Sequence, residues 1–272
     1  MMGRAHALSG IALYAVGAPA VASVTGLFEL TPATWALGAL MCGGAALVPD
    51  LDHPGSSSAS NSLPPVTGWL AQVVSLVSGG HRKGTHSILG IVAFTALTVL
   101  TVNAFAPWGP LLVAFLLTAF TTKALKLFNL IPGSLARGLG TAIVAAVGTL
   151  AVWRFGGDEY SWLVAAVALG VFWHIVGDAI TVMGVPLLWP LSQWDFRLAR
   201  LKAGGPTELF ILTPVFCLAI AWAAYQGIHT GDVLGYPVTT HAHSTASVSA
   251  PATAHPTPAP APTRKPARKP KS

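Results

Sequence analysis

Seven long apolar segments, separated by short polar or Gly/Pro-containing stretches, dominate the sequence between residues 8 and 228. Most of them approach the roughly 20 apolar residues that a helix needs to cross a bilayer. They predict an all-α fold, a polytopic bundle of about seven transmembrane helices, with a range of five to seven because the fifth segment is short. The segments are approximately 8–28, 33–49, 87–105, 109–127, 139–155, 161–182 and 209–228.

A stretch of about 37 residues separates the second and third segments. It begins with a Gly/Ser/Asn-rich loop at 55–62, and a charge-free apolar pattern follows. The spacing i, i+3, i+4, i+7 predicts a one-sided helix. Such a helix either lies on the membrane surface or packs on the bundle, and the sequence leaves both open. The residues of the pattern are Val66, Trp69, Leu70, Val73, Val74 and Val77.

The first apolar segment has a second interpretation. Arg4, the apolar run and the small residues 20–22 together resemble a signal peptide with its cleavage site. The run extends to about Phe28, however, which is longer than a usual signal core. We therefore expect an uncleaved first transmembrane helix.

The C-terminal region has a different composition. From about Val238, Thr, Ala, Ser and Pro dominate and lead to a basic end. Such a segment cannot bury enough apolar surface to offset its ordering entropy. We therefore predict a membrane domain at 1–230 and a disordered tail at 231–272. The tail histidines are interpreted as tail residues rather than ligands; they are His241, His243 and His255.

Composition supports the membrane class. Hydrophobic residues make up 53% of the chain, the mean hydropathy is +0.64, and only 9% of residues are charged, against about 25% in soluble domains. The net charge of +6 is concentrated at the C-terminus, where five of the fifteen basic residues occupy the last nine positions. We therefore expect membrane lipids and no nucleic acid as partners; the oligomeric state stays open. Cys42 and Cys217 cannot form a disulfide framework or a thiolate cluster.

The basic residues also predict an orientation in the inner or plasma membrane. Cytoplasmic loops carry an excess of Lys and Arg. With the N-terminus in the cytoplasm, the opposite side holds only Arg154 among the basic residues of the seven-span domain. The cytoplasmic side then holds Arg4, Arg82, Lys83, Lys123, Lys126, Arg137, Arg197, Arg200 and Lys202.

Two short ionisable blocks interrupt this apolar chain, Pro-Asp-Leu-Asp-His-Pro at 49–54 and His-Arg-Lys-Gly-Thr-His-Ser at 81–87. Carboxylate and neutral imidazole are common ligands of zinc and similar cations. The alternatives are that the Asp residues cap a turn and that Arg82 and Lys83 only set the topology. Two carboxylates and an imidazole within four residues make capping an incomplete account.

His174 and Asp178 form a third candidate pair. They lie four residues apart in an apolar segment and therefore share a helix face. Ionisable residues in a membrane helix usually face a polar cavity and a partner. A structural His–Asp hydrogen bond between helices is the alternative. In the predicted topology, this pair, both blocks and His6 all fall on the cytoplasmic side.

These motifs resemble the YdjM-like family, membrane-bound proteins described as LexA-regulated, metal-dependent hydrolases. The resemblance covers roughly residues 1–200. The sequence departs from the family pattern in a long insert between Asp52 and His81, and this insert affects how a substrate would approach the site. The resembling motifs are His6-Ala-Leu-Ser-Gly10, the blocks at 49–53 and 81–87, His174, Asp178-Ala-Ile-Thr181 and Gly184-Val-Pro-Leu-Leu-Trp-Pro-Leu-Ser192.

The residues and the resemblance together predict hydrolysis at the cytoplasmic membrane face with one or two divalent ions, zinc or manganese. Asp52 is the candidate proton acceptor, and Arg82 is the second candidate catalytic residue. Arg82 and Lys83 are expected to bind an anionic substrate, a phosphoester or a lipid-linked compound. The candidate metal ligands are His6, Asp50, His86, His174 and Asp178, followed by Asp52, His53 and His81.

Two rival functions use the same residues differently. In an ion or small-solute transporter they would line a path, although transporter sites usually lie near the midplane rather than at helix ends. In a non-enzymatic membrane factor, the His–Asp pairs would only hold helices together. Metal analysis, a substrate panel and a flux assay separate the three.

Overall fold

The computed structural model describes residues 1–127, 129 and 132–239. Eight α-helices follow one another within these residues, with short 3₁₀ turns at Pro49–Asp52 and Gly84–His86 and a π-helical turn at Glu208–Leu212. The helices are α1 Gly3–Thr25, α2 Pro32–Ala45, α3 Val66–Val77, α4 Ile88–Ala104, α5 Trp108–Ala124, α6 Ser134–Phe155, α7 Ser161–Ala179 and α8 Thr213–His229.

Each of the seven predicted apolar segments corresponds to one helix, which confirms the all-α polytopic bundle. Within the described residues, five stretches are long and apolar enough to cross a membrane. Helices α4 and α5, with 17 residues each, rise about 26 Å, slightly less than the hydrocarbon core. The five long stretches are Gly3–Thr25, Pro32–Asp52, Ala136–Phe155, Ser161–Ala179 and Glu208–His229.

Helices α1, α2 and α7 form the tightly packed centre of the bundle. Gly10 of α1 and Gly170 of α7 both lie against the carbonyl oxygen of Cys42 in α2, and a Cβ atom at either glycine would lie 2.8 or 2.7 Å from that oxygen. Small residues let membrane helices approach this closely. Any larger side chain at these two glycines would force the three helices apart.

The helix order gives the bundle two distinct ends. The site end comprises the starts of α1, α4 and α8 and the ends of α2 and α7. The far end comprises the turns 26–31, 105–107 and 156–160. Contacts across the chain, such as Met2 with Glu208 and His6 with Asp178, connect the elements of the site end.

The predicted one-sided helix is α3, and it is apolar on two sides. Leu70 and Val74 pack against the hydrophobic core, whereas Trp69, Leu76 and Val77 are exposed. The sequence left open whether α3 lies on the membrane surface or packs on the bundle, and its inner side packs on the bundle. The outer side remains available to the membrane.

The ordered region extends beyond the boundary predicted at residue 230. Strands β1 (Asp232–Val233) and β2 (Tyr236–Pro237) pair as an antiparallel hairpin that contacts α1 and α8. Val233 and Val238 are buried, so these apolar residues continue the core. The rest of the predicted disordered tail, with its three histidines, lies outside the described residues.

Candidate metal centre

The central packing of α1, α2 and α7 positions two histidines. His6 lies one turn before Gly10, His174 lies one turn after Gly170, and Ala46 follows Cys42 by the same spacing. Residues four apart share a helix face. One turn from the glycine contact, towards the site end, the imidazoles of His6 and His174 therefore lie near the backbone carbonyl of Ala46. The rings of His6 and His174 stack with centroids 3.9 Å apart.

The tautomer of His174 follows from its backbone contact. Its Nδ1 lies 2.7 Å from the carbonyl oxygen of Ala46, and a carbonyl oxygen can only accept a hydrogen bond. Nδ1 therefore carries the proton, and Nε2 of the neutral ring presents a lone pair. Metal-binding histidines commonly donate their second ring nitrogen in this way.

The same reasoning applies to His86. The hydroxyl of Thr85 donates to Oδ2 of Asp52 at 2.5 Å, and Nδ1 of His86 lies 2.9 Å from that hydroxyl oxygen. The hydroxyl proton is already used, so Nδ1 of His86 donates to Thr85. In the neutral ring, Nε2 of His86 is therefore also unprotonated.

These two unprotonated nitrogens face each other. Nε2 of His86 and Nε2 of His174 are 3.1 Å apart, and both rings are fully buried. Asp50 and Asp178 place carboxylate oxygens 3.6 to 3.8 Å from these nitrogens. Lone pairs and carboxylates that converge in a buried space favour a bound cation, either a proton or a metal ion.

Two sets of three side chains bring their ligand atoms within 4.8 Å of one another. One set is His6, His174 and Asp178, and the other is Asp50, His86 and His174. Nδ1 of His6 is buried without a hydrogen-bond partner, which leaves ligand capacity unused. The donor types suit zinc or manganese, so the residues fit one ion, or two that compete for His174.

Asp178 is the electrostatic centre of the site. Its Oδ1 lies 3.2 Å from Nε2 of His6, and its Oδ2 lies 2.6 Å from Nη2 of Arg82. The amino group of Met1 also contacts this carboxylate. Asp178 is only 1% exposed, and a buried carboxylate needs such partners because desolvation of a lone charge is costly.

Asp52 holds the second block in place. Its carboxylate accepts hydrogen bonds from the backbone N–H of Arg82 at 2.8 Å and from Thr85, and Nδ1 of His81 lies 2.8 Å away. This contact with Asp52 raises the pKa of His81 against the opposing effect of partial burial. Asp52 is fully buried, and both of its carboxylate oxygens already have hydrogen-bond partners. Its geometry therefore fits a positioning role better than the predicted role of proton acceptor.

The five leading ligand candidates all enter the two sets, whereas His53 and His81 lie outside them. His53 is exposed and stacks on His81 with centroids 4.2 Å apart. Lys83 is exposed beside the site, as an anion-binding residue requires. Arg82, by contrast, is committed to Asp178 and to the carbonyl oxygen of Gly184, which accepts from Nη1 at 3.1 Å.

The segment after α7 covers the site end. Bridges join Thr181 to Leu201 and Val185 to Phe196, and the backbone N–H of Ile88 donates to the carbonyl of Leu187 at 3.0 Å. The motif at 184–192 thus connects the end of α7 with the start of α4. It fixes the two elements that carry His174 and His86.

Sequence reasoning missed three contributors. Glu208 is 5% exposed and accepts from the backbone N–H groups of Met2 at 2.8 Å and Gly204 at 3.0 Å; a lone acid at the start of the last apolar segment was the available signal. Thr85 could have been found from its place before His86. The carbonyl of Ala46 carries no side-chain signal.

A large cavity in the described part of the chain lies away from this site. It measures about 900 Å³, lies at the far end, and is lined by residues of α1, α4 and α7 together with Asp158 and Glu159. Its walls are mainly apolar and lack the converging ligand atoms described above. We therefore place the candidate chemistry at the site end, where polar side chains converge.

The fold and site define a class, a polytopic helical membrane protein with a buried histidine–aspartate cluster at one end of its bundle. The family model described as "YdjM inner membrane protein" matches residues 1–130 and 138–235, and the chain belongs to this family. Two relatives, each called "Inner membrane protein YdjM", come from Escherichia coli (strain K12) and Shigella flexneri. Each is 27% identical over 176 residues, covering 64% of this chain and 60% of the relative.

The chain therefore spans less than two thirds of the length of these relatives. No solved structure matches the chain.

Proposed function

We propose that this protein is a metal-dependent hydrolase that acts at one face of the inner membrane. The observation that carries the proposal is the close approach of two buried imidazole nitrogens, Nε2 of His86 and Nε2 of His174, which lie 3.1 Å apart. Two nearby carboxylates add negative charge that favours a metal ion over a proton alone. The hydrolase class follows from this chemistry and the family's motifs together.

The proposed ligands are His6, His174 and Asp178 for one ion, with Asp50 and His86 completing a second position if two ions bind. A divalent cation held there would lower the pKa of a coordinated water and polarise the bond to be cleaved. Ala46 and Asp52 orient the imidazoles through their Nδ1 side, directly or through Thr85. Such second contacts fix the ligand atoms before any cation arrives.

Asp50 is the best-placed proton acceptor when it is not a ligand. Its side chain is 20% exposed, so it can exchange protons with solvent, whereas Asp52 is enclosed. Lys83 supplies an accessible positive charge for an anionic substrate, and Arg82 adds a second one inside the site. A phosphoester matches this charge, because its oxygens can accept a hydrogen bond from the ammonium group of Lys83.

We further propose that the site end faces the cytoplasm, with the N-terminus inside. The support is the concentration of basic residues in the loops of that end. The test uses a Cys42→Ser/Cys217→Ser background, with a single cysteine placed at Ser56 or at Asp158. An impermeant thiol reagent added to intact cells should label the second position only. Labelling at Ser56 alone would invert the orientation.

The direct test of the function is metal and activity analysis of the full chain purified in mild detergent. We expect about one or two divalent ions per chain and hydrolysis within a panel of soluble and lipid phosphoesters. A parallel flux assay in proteoliposomes addresses the transporter alternative. A folded, stable and metal-free chain without hydrolase activity would refute the proposal.

A further inference from the structure

A second, smaller cavity lies beside the metal centre. It measures about 210 Å³ and is almost entirely apolar. Its walls come from α3, α4, α5 and α7 and from the residues around the turn that ends α2. The principal lining residues are Val48, Leu51, Leu70, Val74, Phe94 and Leu116.

Two of the chain segments that line the cavity also carry candidate ligands of the site. Val48 and Leu51 line it and flank Asp50, one of the proposed ligands. Val167 lines it from α7, seven residues before His174. That separation corresponds to about 10 Å along the helix axis, so the cavity lies deeper in the bundle than the ligand atoms.

Water has no good partners in this cavity. The hydroxyl of Thr98 donates to the carbonyl of Phe94 at 2.8 Å, and the hydroxyl of Thr101 donates to the carbonyl of Leu97 at 2.7 Å. The lining contains no charged residue, and apolar cavities of this kind stay dry. A bilayer, however, supplies hydrocarbon that can fill the space.

Helix α3 separates this cavity from its surroundings. Leu70 and Val74 face the cavity, while Trp69, Leu76 and Val77 are exposed on the outer side. Tryptophan is typical of the membrane–water interface, and an apolar outer surface suits an interfacial helix. Helix α3, in the segment between Asp52 and His81, therefore forms a wall between the bilayer and the cavity.

We propose that this cavity holds one acyl chain of a membrane lipid whose phosphate headgroup lies at the metal centre. The proposal rests on the proposed function and deepens it, since it names the substrate class as a lipid phosphoester. The chain would run from the site into the depth of the bundle, in the same direction as the acyl chains of the bilayer. Lys83 would lie on the headgroup side.

The test uses the full chain in phosphatidylcholine vesicles that contain a small fraction of phosphatidic acid with a photoreactive diazirine in mid-chain. After illumination, peptide mapping should find adducts on the cavity-lining residues of α3, α4 and α5. Val74→Trp fills the cavity and should abolish these adducts. Val73→Trp makes the same change on the outer side, where the parent residue is 38% exposed, and should leave them unchanged.

A second measurement needs no variant. The same diazirine placed in diacylglycerol should give far fewer cavity adducts, because this lipid has no phosphate to lie at the metal centre. Equal labelling by both lipids, or adducts confined to exposed positions such as Leu100, would overturn the proposal. Metal content is measured on the same samples: a parent that holds metal and cleaves soluble phosphoesters without cavity adducts refutes only the acyl-chain site, whereas adducts without metal refute the proposed function.

Discussion

The two ends of the bundle differ in what they bury. At the site end, His86, His174 and Asp178 are at most 1% exposed and contact one another. At the far end, Asp158 and Glu159 are exposed, and the buried side chains Thr34 and Trp162 are neutral and hydrogen-bond to the backbone. Trp162, for example, donates from Nε1 to the carbonyl of Gly156 at 3.0 Å.

The larger of the two cavities and the buried ionisable cluster lie at opposite ends of the bundle. The far-end cavity measures about 900 Å³, but Asp158 and Glu159, which line it, are exposed to solvent. The site end keeps several ionisable groups out of water, which is unfavourable unless a bound ion or a dense hydrogen-bond network compensates. Burial of charge therefore distinguishes the end that carries the candidate site.

The strongest test of the comparison is Asp178→Asn. The amide keeps the shape but removes the charge that stabilises a cation, so we expect complete loss of retained metal and of hydrolysis in a chain that still inserts and folds. Metal analysis and activity are measured beside Asp158→Asn at the far end, which should match the parent. A purely structural His–Asp pair gives the reverse result, lower stability with unchanged metal.

Substitutions at His174 and Asp50 should remove different amounts of bound metal and so distinguish the two ligand sets. His174 belongs to both sets and Asp50 to one, so His174→Gln should remove all metal. If the parent holds two ions, Asp50→Asn should retain one. His229→Gln is the matched control, because His229 is exposed at the far end of α8. Parental metal content in His174→Gln would exclude both sets.

Asp52→Asn tests the supporting contacts rather than the ligands. We expect metal affinity to fall about 10- to 100-fold, because the contacts that orient His86 through Thr85 are weakened. Binding should still reach the parental stoichiometry at high metal concentration, as measured by competition with a chelating dye. A complete loss of binding would make Asp52 a direct ligand.

The smallest expected effect is at Glu208. Its carboxylate accepts from two backbone N–H groups, and Glu208→Gln should lower the free energy of unfolding by about 1–3 kcal/mol. Thermal unfolding in detergent measures the change, with retained metal as a second readout. The exposed Glu159→Gln should stay within about 0.5 kcal/mol of the parent. Equal stability of the two variants would deny Glu208 a role in anchoring α1.

The membrane bundle could be predicted because bilayer thickness imposes a length on every apolar segment. All seven segments became helices, and α3 was predicted from its apolar spacing. The hairpin after residue 231 was missed because its strands have two residues each, too short for an alternating pattern. The apolar outer side of α3 could not be separated from its inner side by spacing alone.

The sequence by itself also determined which residues are candidates, because an ionisable side chain in an apolar segment has few uses other than a site or a buried pair. Only the tertiary structure showed which of them lie together. It separates His53 and His81 from the five converging ligand candidates and surrounds Asp52 with hydrogen-bond donors. These contacts depend on distances of a few ångströms between residues up to 172 positions apart in the chain, and helix packing alone sets such distances.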